Sequence, residues 1–124
     1  MKASIIPAGT LLGLLLILDA CTGIQHVDIE YRVTCSATTD TLRVRITYKD
    51  GGGFFTTNAN LSTDSFWSGE FPAQTGFSCS LTAISLEEEK TGTLTVTILI
   101  DGDVFRTDSS SEVGCTVQVL GTVP

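Results

Sequence analysis

Apolar and polar residues alternate along most of the chain after residue 26. Val27, Ile29, Tyr31, Val33 and Cys35 fall on one side, and Asp28, Glu30, Arg32 and Thr34 on the other. That period belongs to a strand half-buried on a core. Leu42, Val44, Ile46 and Tyr48 repeat the pattern against Arg43, Arg45, Thr47 and Lys49, with a turn at Thr39 and Asp40. An antiparallel hairpin of these two strands would set Asp28 and Glu30 beside Lys49 and Arg45 on the wet face. The run Asp50-Gly51-Gly52-Gly53 is a turn. It has neither the following helix nor the Lys-Ser/Thr pair of a phosphate-binding loop.

Further along, residues 54–57 predict a short strand and residues 58–64 a polar loop. Trp67, Gly69 and Phe71 share a face with Phe66 opposite, and residues 72–76 turn the chain. Phe77, Cys79, Leu81 and Ala83 alternate inward, as do Leu94, Val96, Ile98 and Ile100. Asp101-Gly102 between alternating runs is the signature of a two-residue hairpin. Residues 104–107 return, residues 108–111 form a loop, and Val113, Cys115, Val117 and Val119 close the domain. Seven or eight short antiparallel strands separated by turns predict an all-β, immunoglobulin-like β-sandwich over residues 27–124.

The first twenty residues follow another rule. Met1-Lys2 is a minimal basic start, and residues 11–18 are apolar apart from Gly13. This segment is shorter than the roughly 20 residues that span a bilayer, which predicts a cleaved export signal over residues 1–20. Leu18-Asp19-Ala20-Cys21 resembles the bacterial lipobox, Leu-x-(Ala/Gly)-Cys, with Asp19 at the variable site. On that reading Cys21 carries lipid, residues 21–26 are a short tether, and the domain sits at the membrane surface of the bacterial cell envelope. Each buried lipid CH₂ contributes about 0.8 kcal/mol to such an anchor. The rival reading is ordinary secretion, with cleavage after Ala20 and a free Cys21.

Export changes the meaning of the four cysteines, because disulfides persist in an oxidising compartment. With Cys21 lipidated, Cys35, Cys79 and Cys115 remain, enough for one bridge and one buried thiol; with Cys21 free, two bridges become possible. Cys35 ends the first strand and Cys115 begins the last, at one end of an immunoglobulin-like path, so Cys35–Cys115 is the expected pair. None of the spacings is that of a zinc site.

Composition narrows the function classes. The 124 residues carry 14 Asp and Glu against 7 Lys and Arg, a formal net charge of −7. That balance argues against nucleic acid as a partner. Consecutive carboxylates at Glu87, Glu88 and Glu89, and the Asp101-Gly102-Asp103 triplet, read as a solvated loop and a turn instead of calcium ligands. The one histidine, His26, lies in the tether, which leaves no Ser-His-Asp or Cys-His arrangement. No catalytic residue, metal site or cofactor is indicated, and no ligand-binding residue can be named. Trp67, the single tryptophan, reads as core; exposed beside Phe66 and Phe71 it would form a ligand shelf.

Laid end to end, these pieces resemble the MmpS-type domain, named for small mycobacterial membrane proteins and found also in envelope lipoproteins. The resembling runs are IEYRVTCSA at 29–37, VRITYKDGGG at 44–53 and FWSGEFPAQTG at 66–76. They continue with LTA at 81–83 and GTLTVTILIDG at 92–102. The resemblance implies a small β-sandwich with no chemistry of its own, in some members an accessory subunit of an envelope transporter. The chain departs from those members in its lipobox, where they keep an uncleaved helix. It also has Val96 where they often carry a cysteine. The expectation is a non-catalytic envelope lipoprotein, held to the membrane by its anchor and serving a protein partner as adaptor or accessory domain. The alternative is a secreted soluble module that binds a small or apolar ligand.

Overall fold

The computed structural model describes residues 25–36, 41–87 and 92–124. Cys21, the export segment and most of the tether lie outside the described residues. Eight strands follow in order: β1 (His26–Ser36), β2 (Leu42–Asp50), β3 (Gly53–Leu61) and β4 (Trp67–Gln74), then β5 (Ser78–Ser85), β6 (Thr93–Ile100), β7 (Asp103–Ser110) and β8 (Thr116–Thr122). They form two antiparallel four-stranded sheets, one in the order β4-β1-β6-β7 and the other β3-β2-β5-β8. Their inward positions meet in one core that includes Ile29, Val33, Ile46, Leu81, Val96 and Ile98. The protein is a β-sandwich.

Two strands outrun their expected limits. β3 continues through Asn58 and Asn60 to Leu61, because Ala59 and Leu61 still point inward against β2. β7 likewise takes in Asp108 and Ser109, which pair with β6. Both are edge strands, where polar side chains hide the alternation. The last strand shows the reverse. Gly114, at φ +67°, breaks the chain into a turn, so Val113 is exposed and β8 starts only at Thr116.

The expected hairpin between β1 and β2 does not form. β1 lies between β4 and β6 in the first sheet, and β2 lies between β3 and β5 in the second. The period-two pattern was met in both strands, but each turns its apolar side toward the other across the core. Asp28 and Glu30 therefore face solvent on one side of the sandwich, and Arg45 and Lys49 on the opposite side.

One side chain ties the sheets together by hydrogen bonds. Tyr31 leaves β1 fully buried and reaches β2 and β5. Its hydroxyl donates to the Lys49 carbonyl at 2.6 Å and accepts from the Ser80 N–H at 3.2 Å. The β2–β5 ladder runs from Val44↔Ser85 to Tyr48↔Leu81 and stops there. Lys49 and Ser80 would be the next pair, and the phenol oxygen stands between them in place of a direct backbone bond. Edge-on contacts with Phe71 and Tyr48, at 5.1 and 6.1 Å between ring centroids, hold the ring in place.

The two sides of the sandwich close differently. At β7 the register skips Phe105, since Ile98 pairs with Arg106 and Leu99 with Val104. This bulge turns the Phe105 ring inward onto Gly121 of β8. On the other side, Trp67 of β4 packs on Tyr48, which packs on Phe55 of β3. The hairpins are tight, and Asp101-Gly102 adopts φ +50° and +87°, as expected for a two-residue turn of mirror-image type.

Burial holds the Tyr31 proton far above the ordinary phenol value of 10.0. The unfolded chain releases that proton near pH 10 while the folded chain keeps it. The stabilisation is therefore complete below that pH and is lost as pH rises above it. Tyr31→Phe is expected to lose about 1–3 kcal/mol, because a buried N–H and C=O lose their partner. Its urea midpoint is also expected to fall less than that of the parent between about pH 8 and about pH 11. Equal pH dependence in the two proteins would refute this role. A second expectation concerns Gly121, where an alanine Cβ would lie 2.5 Å from Cε2 and 3.1 Å from Cζ of Phe105. Gly121→Ala is expected to displace that ring and cost about 1–3 kcal/mol in denaturant titration.

Candidate functional site

The outer face of the second sheet carries the least expected chemistry. β2 turns Arg43, Arg45, Thr47 and Lys49 outward, because Leu42, Val44 and Ile46 between them are buried. A polar row crosses all four strands in register as Thr56, Thr47, Thr82 and Gln118. Thr47 and Thr56 share a hydrogen bond of 3.1 Å, and the Gln118 amide donates to the Thr82 hydroxyl at 3.1 Å. The remaining outward positions on β3, β5 and β8 are hydroxyls, amides and a few apolar side chains, with no Asp or Glu. Arg43 is tied at the rim to Glu87, Nε to Oε2 at 3.0 Å. Among the described residues, Arg45 and Lys49 make no ion pair.

Where β2 and β5 part beside Tyr31, the face opens into a cleft of about 330 Å³. Lys49, Ser80, Ser78 and Thr122 supply its polar groups, while Phe54 and Leu120 supply exposed apolar flanks. The Lys49 ammonium lies 5.2 Å from the centre of the Phe77 ring. The Cys79 side chain is buried and forms part of the floor. Burial pushes its thiol pKa up, although the Tyr31 hydroxyl and the Lys49 charge pull the other way. At neutral pH it is a protonated thiol, a poor nucleophile.

The outer face of the first sheet has the opposite character. Glu30 and Glu70 stand directly opposite each other on β1 and β4, with Asp28 next along β1. Its one outward cation on β1, Arg32, is held by Glu30 at 2.7 Å and lies over the Phe66 ring. The hairpin expected from the sequence would set the charges of β1 and β2 side by side, whereas the fold puts them on opposite faces. The parity of Arg43, Arg45 and Lys49 on one strand was the available signal of a basic face.

The other candidates are distributed as follows. Trp67 is half-buried, packed on Tyr48 and folded over Gly69, so it belongs to the margin of the core. His26 is the exposed first residue of β1, not part of a tether, and the preceding Gln25 carbonyl already accepts the Thr75 N–H. Asp101 ties its hairpin turn to β1 by accepting the Asp28 N–H at 2.8 Å. Among the described residues, no three His, Cys, Asp or Glu side chains gather as a metal site.

The Cys35–Cys115 bridge is not formed, and Cys35, Cys79 and Cys115 are free and buried. The two expected partners do share one pole of the sandwich: Cys35 pairs with Leu94 and Leu94 with Ser110, beside Cys115. The Cys115 thiol, however, turns to the Ser110 carbonyl at 4.0 Å. Cys79, opposite Gly121, lies at the other pole.

Burial of the three thiols sets an expectation for reactivity. Native protein is expected to alkylate roughly a hundredfold more slowly at Cys35 and Cys79 than urea-unfolded protein at the same pH, followed by peptide mass mapping. Fast native labelling of Cys79 would mean that the cleft floor is open. No protein-family model and no curated protein matches the sequence.

Proposed function

We propose that the chain is a non-catalytic cell-envelope lipoprotein whose sandwich serves as an adaptor or accessory binding domain. The lipobox-like Leu18-Asp19-Ala20-Cys21 and the MmpS-like runs support this reading. The structural observation that supports it most is the polarity of the sandwich. The first described residue, Gln25, joins the fold beside Thr75, at the pole that also holds the β2–β3 and β6–β7 turns. Three of the exposed large apolar side chains, Phe54, Val104 and Leu120, lie toward that same pole. An anchor at Cys21 would be four residues from Gln25, within about 14 Å even if fully extended. It would hold this pole toward the bilayer and leave the sheet faces free for partners.

The cleft beside Lys49 favours the second reading, a secreted module for a small or apolar ligand. Intact-mass analysis of the mature protein, purified from detergent-solubilised envelopes, separates the two. The expected outcome is an N-terminus at Cys21 bearing a diacylglyceryl group, and release of Cys21→Ser from the envelope fraction. An unmodified Cys21 in a protein recovered outside the membrane would refute the anchored reading and leave the soluble module.

A further inference from the structure

We infer that the outer face of the second sheet docks an acidic polysaccharide, a hydroxyl-rich chain bearing carboxylates at intervals. This holds whether or not Cys21 is lipidated. Charge is the first observation. Acids outnumber bases 14 to 7 in the chain, yet this face presents Arg43, Arg45 and Lys49 and no outward carboxylate on β3, β5 or β8. Asp50, at the end of β2, accepts the Gly52 N–H of its own hairpin turn. Among the described residues, only Arg43 is neutralised, by Glu87. Arg45 and Lys49 stand four residues apart on one strand, so their stems leave the sheet about 14 Å apart.

The groups between and around them make the second observation. The Thr56, Thr47, Thr82 and Gln118 row crosses the sheet between the two cations, and every member offers both donor and acceptor capacity. A chain whose carboxylates are separated by hydroxylated rings matches that alternation of charge and hydroxyl. Arg45 presents a planar fork to one carboxylate. Lys49 meets another at the mouth of the cleft, which Ser78, Ser80 and Thr122 also line. Phe54, 65% exposed and paired with Lys49 across β2 and β3, offers an apolar surface to the C–H side of a sugar ring. Nucleic acid fits less well. Duplex DNA brings one negative charge about every 1.7 Å against two cations that are unpaired among the described residues, on a chain of net charge −7.

The test uses the full chain in a neutral detergent, titrated calorimetrically with oligogalacturonate. Its methyl-esterified form and polyuridylate are the comparison ligands. Oligogalacturonate is expected to bind, more weakly as salt rises, and about tenfold or more tighter than the ester. The double variant Arg45→Gln with Lys49→Gln is expected to lose about tenfold or more, while Arg106→Gln on β7 changes nothing. Circular dichroism melts establish that the variants fold. Amide shifts on binding are expected at Thr47, Thr56 and Thr82, and not at Thr97 and Thr107 of the other sheet. Absence of binding, equal binding of the ester, an unaffected double variant, or shifts centred on the first sheet would each overturn the inference. Tighter binding of polyuridylate would reassign the face to single-stranded RNA.

Discussion

The hydroxyl of Tyr31 ends one ladder and begins a surface. Two β-strands that pair along their whole length leave no opening between them. Here a phenol oxygen from the opposite sheet takes both backbone partners at the point where Lys49 and Ser80 would have met. A buried polar group with both bonds made is cheap, whereas the same group with one bond broken is not. Among the described residues no buried side-chain polar atom is left without a partner. The separation of β2 from β5 is thus part of the packing of the core. Lys49 and Ser80, whose backbone groups Tyr31 holds apart, both line the cleft on the outer face.

How much of this is legible in the residues alone depends on what alternation reports. It gives the face of each strand, so β1, β2, β5 and β6, which bury every second side chain, are found nearly to the residue. It fails where an edge strand mixes Asn, Thr and Ser with small inward residues, as at Asn58 to Leu61 and at Asp108 to Ser110. It is also silent about neighbours. Nothing in the period of β1 and β2 distinguishes a hairpin in one sheet from two strands facing each other across a core.

The same limit applies to the candidate site. The shared parity of Arg43, Arg45 and Lys49 is plain in the sequence. The missing carboxylates become meaningful only when sheet order brings β3, β5 and β8 beside them. Cys35 and Cys115 lie at one pole, which strand direction alone makes readable. The direction of the Cys115 thiol, toward Ser110, is a matter of local turn geometry at Gly114. Rigid elements carry the proposed surface, and both sides of the sandwich are closed, by Phe105 on Gly121 and by Trp67 on Tyr48. A binding face built this way loses little conformational freedom when it is occupied.

The separation of charge between the two outer faces has a further consequence. Carboxylates at Asp28, Glu30 and Glu70 and cations at Arg45 and Lys49 lie on opposite sides of a core about 10 Å thick. The domain is therefore an electric dipole oriented across its sheets. A field exerts a force on net charge and a torque on a dipole, and here the two act in opposite senses. Near a negatively charged surface, the net charge of −7 pushes the molecule away. The torque meanwhile turns Arg45 and Lys49 toward that surface. Salt screens both within about 10 Å at 0.1 M, so only at close range does the molecule arrive with its basic side leading.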